Sequence, residues 1–172
     1  FGGGVGKEIH WRAGTATLEH LARHFGQRFH WYGYGRQFLE PDSPLHAVYR
    51  GAAWGRAMYE LLLRAKVVVN RHGEVAEGYA NNMRLYEATS AGALLVTEAA
   101  PNLKEVFANN EVLSYVHGLD DTPIGLTSQV CWALDHPTEA AAIAARGQQR
   151  TMTEHTYYRK MQQVDAVLRG AL

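Results

Sequence analysis

The chain has 172 residues, 47% of them apolar and 20% charged, a composition that supports a packed core and excludes a disordered segment. Seventeen Lys and Arg residues balance seventeen Asp and Glu, so there is no cationic excess of the kind a general nucleic-acid binder needs to displace counterions. Cys131 stands alone, which excludes an internal disulfide and makes a reducing, cytoplasmic setting the expectation. No apolar run approaches the ~20 residues of a membrane span, and no signal peptide is visible.

The chain opens on Phe1 and a glycine loop, residues 2–6, followed by Lys7. A glycine loop normally follows a strand, so a preceding strand, and a domain with it, is expected upstream. Residues 15–25 place Leu18, Leu21, Ala22 and Phe25 on one helical face. Residues 28–32 and 46–50 read as short strands closed by Gly33 and Gly51, with the loop Pro41-Asp42-Ser43-Pro44 between them. Residues 54–64 form a helix with Met58, Leu61 and Leu62 inward, and Trp54 is expected in the core. Three consecutive valines make 66–70 the clearest strand, and 71–81 a polar loop.

The stretch 81–98 then reads as a short helix, the stop glycine Gly92, and a buried strand over 93–97. Asn81 and Asn82 are expected to cap that helix, and Asn102 to cap the next one, with Glu105 at capping-box spacing. Residues 112–116 form a strand, and 122–135 a helix that must stop before Pro137. Pro137 suits the first turn of a helix over 138–152. The last helix carries a stripe of Tyr157, Met161, Val164 and Leu168.

Alternating helices and apolar strands point to an α/β fold: a Rossmann-like three-layer domain on a mainly parallel sheet of about five to six strands. Ligands in such sheets lie beyond the carboxyl ends of the strands. The candidate loops are therefore 2–7, 32–36, 50–51, 70–82 and 98–102. Gly3 and Gly4 allow close backbone approach to a phosphate, and Lys7, Arg71 and Arg84 supply cations. Glu87 lies three residues after Arg84, at salt-bridge spacing. His72 directly follows the valine strand. Of the nine histidines, His20 and His24 share one helix, but Leu21 stands where a metalloprotease helix needs glutamate, so no metal site is expected.

These signals, in this order, resemble the C-terminal half of a GT-B glycosyltransferase, and more narrowly the bacterial glycosyltransferases grouped with spore maturation proteins. The matching pieces are the Phe-Gly-Gly loop with Lys7, Tyr-Gly-Tyr-Gly at 32–35, Val48-Tyr49-Arg50-Gly51, Lys66-Val-Val-Val-Asn70-Arg71-His72, Asn82-Met83-Arg84-Leu85-Tyr86-Glu87-Ala88, Gly92-Ala93-Leu94-Leu95-Val96, Glu105-Val106-Phe107 and His155-Thr156-Tyr157. The resemblance implies a site for a UDP- or GDP-linked sugar, with no other cofactor and no metal. It implies that Glu87 binds the ribose, that Gly3, Gly4, Lys7, Arg71, Asn82, Arg84 and Leu85 contact the donor, and that Arg50 flanks the base, with Tyr34 or Tyr79 stacking on it.

The larger retaining family carries two glutamates separated by seven residues. The first would fall on Tyr79, and Glu77 fills that role if the loop is two residues longer; Glu77 and His72 are the expected catalytic residues. An acceptor domain of the same parent protein is the expected partner, and a homodimer through the last helix is a further expectation. A non-catalytic nucleotide-sugar-binding module and a sugar-nucleotide epimerase half remain alternatives, and a receiver-like regulator is disfavoured by the lack of paired acids after the first strand.

Overall fold

The computed structural model describes residues 9–73, 76–119 and 122–170, with side chains from residue 14 onward. Three strands, β1 (Val67–Asn70), β2 (Leu94–Glu98) and β3 (Leu113–Tyr115), form a parallel sheet in that order. Val68 pairs with Leu95, Asn70 with Thr97, and Glu98 with Tyr115. Parallel strands need crossovers, and here each crossover contains a helix. Between β1 and β2 lies α4 (Arg84–Ser90), and between β2 and β3 lies the single turn α5 (Leu103–Val106).

The side chains of β2 alternate between two cores. Leu95 joins Val68, Met58, Leu62, Leu85, Ala88 and Leu103 on the face covered by α3 (Gly55–Leu62), α4 and α5. Val96 meets Leu21 and Phe25 of α1 (Ile9–Phe25) and Leu126 and Val130 of α6 (Leu126–Asp135). Leu94 meets Ile143 and Ala144 of α7 (Pro137–Glu154) on that same opposite face. The result is helix, sheet, helix: the expected three layers, with the central strand buried through Thr97.

Among the described residues the sheet has three hydrogen-bonded strands, fewer than expected. Residues 46–50 were expected to be strand, but Leu45–Val48 coils into a single helical turn, α2. Pro44 presets the helical φ, and Leu45 and Val48, three apart, turn together into a small core with Trp31 and Ala22. The expected strand 28–32 reduces to one parallel bridge, Trp31 to Tyr49. Around it Trp31 N donates to Val48 O at 3.0 Å, Arg50 N to Trp31 O at 2.9 Å and Gly33 N to Gly51 O at 3.1 Å.

Helix α4 ends where Gly92 adopts φ +78°, with Gly92 N bonded to Thr89 O and Ala93 N to Ala88 O. That paired arrangement satisfies the last carbonyls of the helix. None of the three asparagines caps through its side chain: the N-cap position of α4 is Met83, not Asn81 or Asn82, and Asn102 holds the N-cap position of α5 without a side-chain cap bond. Asn82 and Asn102 serve as cross-links instead. Asn102 receives Ala80 N at 2.8 Å on its oxygen and donates to Ala80 O at 3.0 Å, tying the loop before α4 to the loop after β2.

Trp54 is not in the core; it is 58% exposed and stacked on the exposed ring of Tyr34, 5.1 Å between centroids. His155 packs between Tyr86 and Phe107. The last helix, α8 (Tyr157–Gly170), buries no side chain, and its apolar stripe lies open. No described helix is long and apolar enough to cross a membrane.

Candidate functional site

The carboxyl ends of β1 and β2 carry a connected set of polar side chains. Asn70, the last residue of β1, is buried and donates through Nδ2 to Thr97 Oγ1 at 2.9 Å. Its Oδ1 accepts Asn82 Nδ2 at 3.0 Å, and its backbone carbonyl accepts Tyr115 OH at 3.3 Å. Asn82 Nδ2 also donates to Arg71 O at 3.0 Å. The strand end and the approach to α4 are thereby held together by one amide. Buried amides of this kind persist because leaving them unpaired costs about 1–3 kcal/mol each.

Glu98, the last residue of β2, clamps the next two residues of the β1 loop. Its Oε2 accepts His72 N at 3.0 Å and lies 3.8 Å from Arg71 Nε. Its backbone carbonyl is bonded to His72 Nε2 at 2.9 Å. A carbonyl only accepts, so Nε2 carries the proton. Burial lowers the His72 pKa below the ordinary 6.5; the Glu98 carbonyl and carboxylate oppose that shift, and Arg71 adds to it. The ring is therefore a neutral imidazole at neutral pH. The Arg71 guanidinium extends towards α1, where Nη1 lies 3.7 Å from the place a side chain on Gly14 would begin.

A second group lies between the opening turns of α3 and α4. Arg84 Nη1 is 2.8 Å from Glu87 Oε2 and donates to Met58 Sδ at 3.3 Å. Their side chains are only 15% and 14% exposed, so this is not a solvated surface pair. Burial lowers the Arg84 pKa, while the negative charge of Glu87, with a smaller contribution from Tyr59, holds it up. Leu85, between the two, is fully buried and packs the core.

The remaining described candidates make none of the hydrogen bonds above. Gly3, Gly4 and Lys7 lie outside the described residues. Arg50 is exposed and already bonded within the protein, donating to Gln27 Oε1 at 2.5 Å and to Ala47 O at 3.1 Å. Glu77 is exposed in a turn with φ +49°, a left-handed conformation that L residues rarely adopt. Tyr79 is likewise exposed. Among the described residues, no group of three or more His, Cys, Asp or Glu side chains is arranged to hold a metal. His20 and His24 face α6, touching Thr127 and Cys131.

Glu98 is the functional candidate that residue-by-residue reading passes over. The signal was present, since it ends a buried strand at the edge where ligands collect and opens the 98–102 loop. What the sequence hides is its pairing with Arg71 and His72, which only the strand register reveals.

No curated protein matches the sequence. A family model described as glycosyl transferase-like matches residues 12–166, nearly the whole chain and all of the site just described. The chain belongs to the glycosyl transferase-like family.

Proposed function

We propose that this chain is the donor-binding half of a glycosyltransferase of the GT-B kind, close to the spore-maturation-like group, and that it holds a UDP- or GDP-linked sugar at the carboxyl ends of β1 and β2. The observation that carries the reading is the cluster of Asn70, Arg71, His72, Asn82 and Glu98 at that edge, next to the Arg84–Glu87 pair at the start of α4. Transfer from such a donor develops charge on a leaving diphosphate, which preorganised cations and amides stabilise. Arg71 meets the diphosphate, and Lys7 and the Gly3–Gly4 backbone, outside the described residues, are its further contacts by sequence. Each charge-assisted bond there contributes about 1.5–3 kcal/mol.

Glu87, held by Arg84, accepts from the ribose hydroxyls. Tyr34, stacked on Trp54, and the Arg50–Gly51 backbone receive the base. Glu77 and His72 face the transferred sugar. The acceptor site and its residues belong to a partner domain, for which the open stripe of α8 is the contact.

Calorimetric titration with UDP, GDP, UDP-glucose and GDP-mannose tests the donor reading. Binding of at least one, lost in Glu87→Gln, is the expected result, and no heat with any of them overturns it. A second reading, a nucleotide-sugar-binding module without turnover, is favoured by Tyr79 standing where a retaining enzyme has glutamate. Donor binding with no sugar transfer in the presence of the partner domain would select it.

A further inference from the structure

Among the described residues, two buried acceptor atoms in the β1–α4 connection have no hydrogen-bond partner: His72 Nδ1 and Asn82 Oδ1. The surrounding bonds determine their character. Asn70 spends its Nδ2 on Thr97 Oγ1, so its Oδ1 faces Asn82, and Asn82 must answer with its amino group. The Arg71 carbonyl demands the same amino group. The amide orientation of Asn82 follows, leaving its Oδ1 as an acceptor. His72 is governed likewise: Nε2 bears the proton towards the Glu98 carbonyl, so Nδ1 presents a lone pair. The chain thus leaves one unmet acceptor on His72, the residue after Arg71, and one on Asn82, which is bonded to the Arg71 carbonyl. His72 itself is 95% buried, as its 5% exposure shows.

We infer that His72 Nδ1 and Asn82 Oδ1 form a hydroxyl-reading pair, which accepts hydrogen bonds from a saccharide ring of the ligand while Arg71 beside them takes its phosphate. A phosphate oxygen offers no proton at neutral pH and would meet lone pairs at both atoms. A sugar hydroxyl donates, and so converts two uncompensated acceptors into bonded ones. The inference rests on the donor reading above. The hydroxyl belongs either to the nucleoside pentose or to the transferred sugar, and the two sources have separate probes.

Titration calorimetry at pH 7.5 would compare UDP with 2′-deoxy-UDP for the pentose and UDP-glucose with UDP for the sugar, with the guanine series run alongside. The variants are chosen for the atom each one keeps. His72→Gln retains a donor near Nε2 and has no acceptor at the Nδ1 position; His72→Asn places an amide oxygen near Nδ1. The wild type should discriminate in at least one comparison. His72→Gln should shrink that ratio by about three- to tenfold, as for one neutral hydrogen bond, and His72→Asn should restore most of it.

Each ratio is taken within one variant, so a general loss of stability cancels. Equal weakening of every probe in His72→Gln would make His72 a merely structural residue and overturn the inference. So would unchanged ratios, the result expected if enclosed water satisfies both acceptors. Absence of any nucleotide binding by the wild type would instead overturn the donor reading, and this inference with it.

Discussion

At His72, burial makes protonation costly, and the cost has a direction in pH. The folded pKa lies below the ordinary value of 6.5, so the unfolded chain takes up the proton first as pH falls. The stability linked to this residue is complete above about pH 6.5 and is lost as pH drops through that value towards the folded pKa. Thermal unfolding followed by circular dichroism should therefore show a midpoint that declines between pH 7.5 and 5.5. His72→Gln should show a shallower decline; an identical slope would show that other groups cause it. Arg84 and Glu87 pose the reverse problem, a charge pair that tolerates burial only while both members are present. Arg84→Met should cost about 3 kcal/mol in urea unfolding, because it strands the Glu87 carboxylate. Adding Glu87→Leu should return most of that loss, as uncharged partners leave no ion to desolvate. The spacing of these two residues was legible in the sequence, and their burial was not, since it is created by Met58 on a helix 26 residues away.

Among the elements, the legible ones are those whose period is unbroken. The valine run of β1, the amphipathic faces of α1 and α3, Pro137 opening α7 and Gly92 closing α4 all read directly, because each depends on neighbours within a turn or two. The segment 46–50 did not, since an apolar pair three apart suits one helical turn, and Pro44 tipped the choice. Asn82 and Asn102 looked like caps by local chemistry, but tertiary partners claimed their amides first. One element contact yields a sharp prediction. Gly147 of α7 passes so close to the backbone that an added Cβ would lie 2.3 Å from the Glu111 carbonyl oxygen. A carbonyl in the backbone cannot swing aside, so Gly147→Ala should destabilise by about 2–3 kcal/mol despite the better helix propensity of alanine. It should also loosen α4, which leans on α7 through the buried Thr89–Thr151 hydroxyl pair at 2.7 Å. Urea unfolding measures the first effect and amide exchange in α4 the second.

On the scale of the whole molecule, α8 stands apart from the two cores. Because it buries none of its side chains, removing residues 157–172 should shift the thermal midpoint by no more than about 3 °C, the equivalent of roughly 1 kcal/mol. A larger drop in scanning calorimetry would mean that the helix supports the fold. The donor edge should survive the truncation with its nucleotide affinity intact, since β1, β2, α3 and α4 assemble it without α8. The Tyr34–Trp54 stack at the rim has its own consequence. Trp31 is wholly enclosed, whereas the Trp54 indole faces solvent beside a phenol ring. Iodide should therefore extinguish the fluorescence of Trp54 and spare that of Trp31. A nucleobase settling against Tyr34 would shield Trp54 from the quencher, so the molecule carries an optical reporter of occupancy that needs no label.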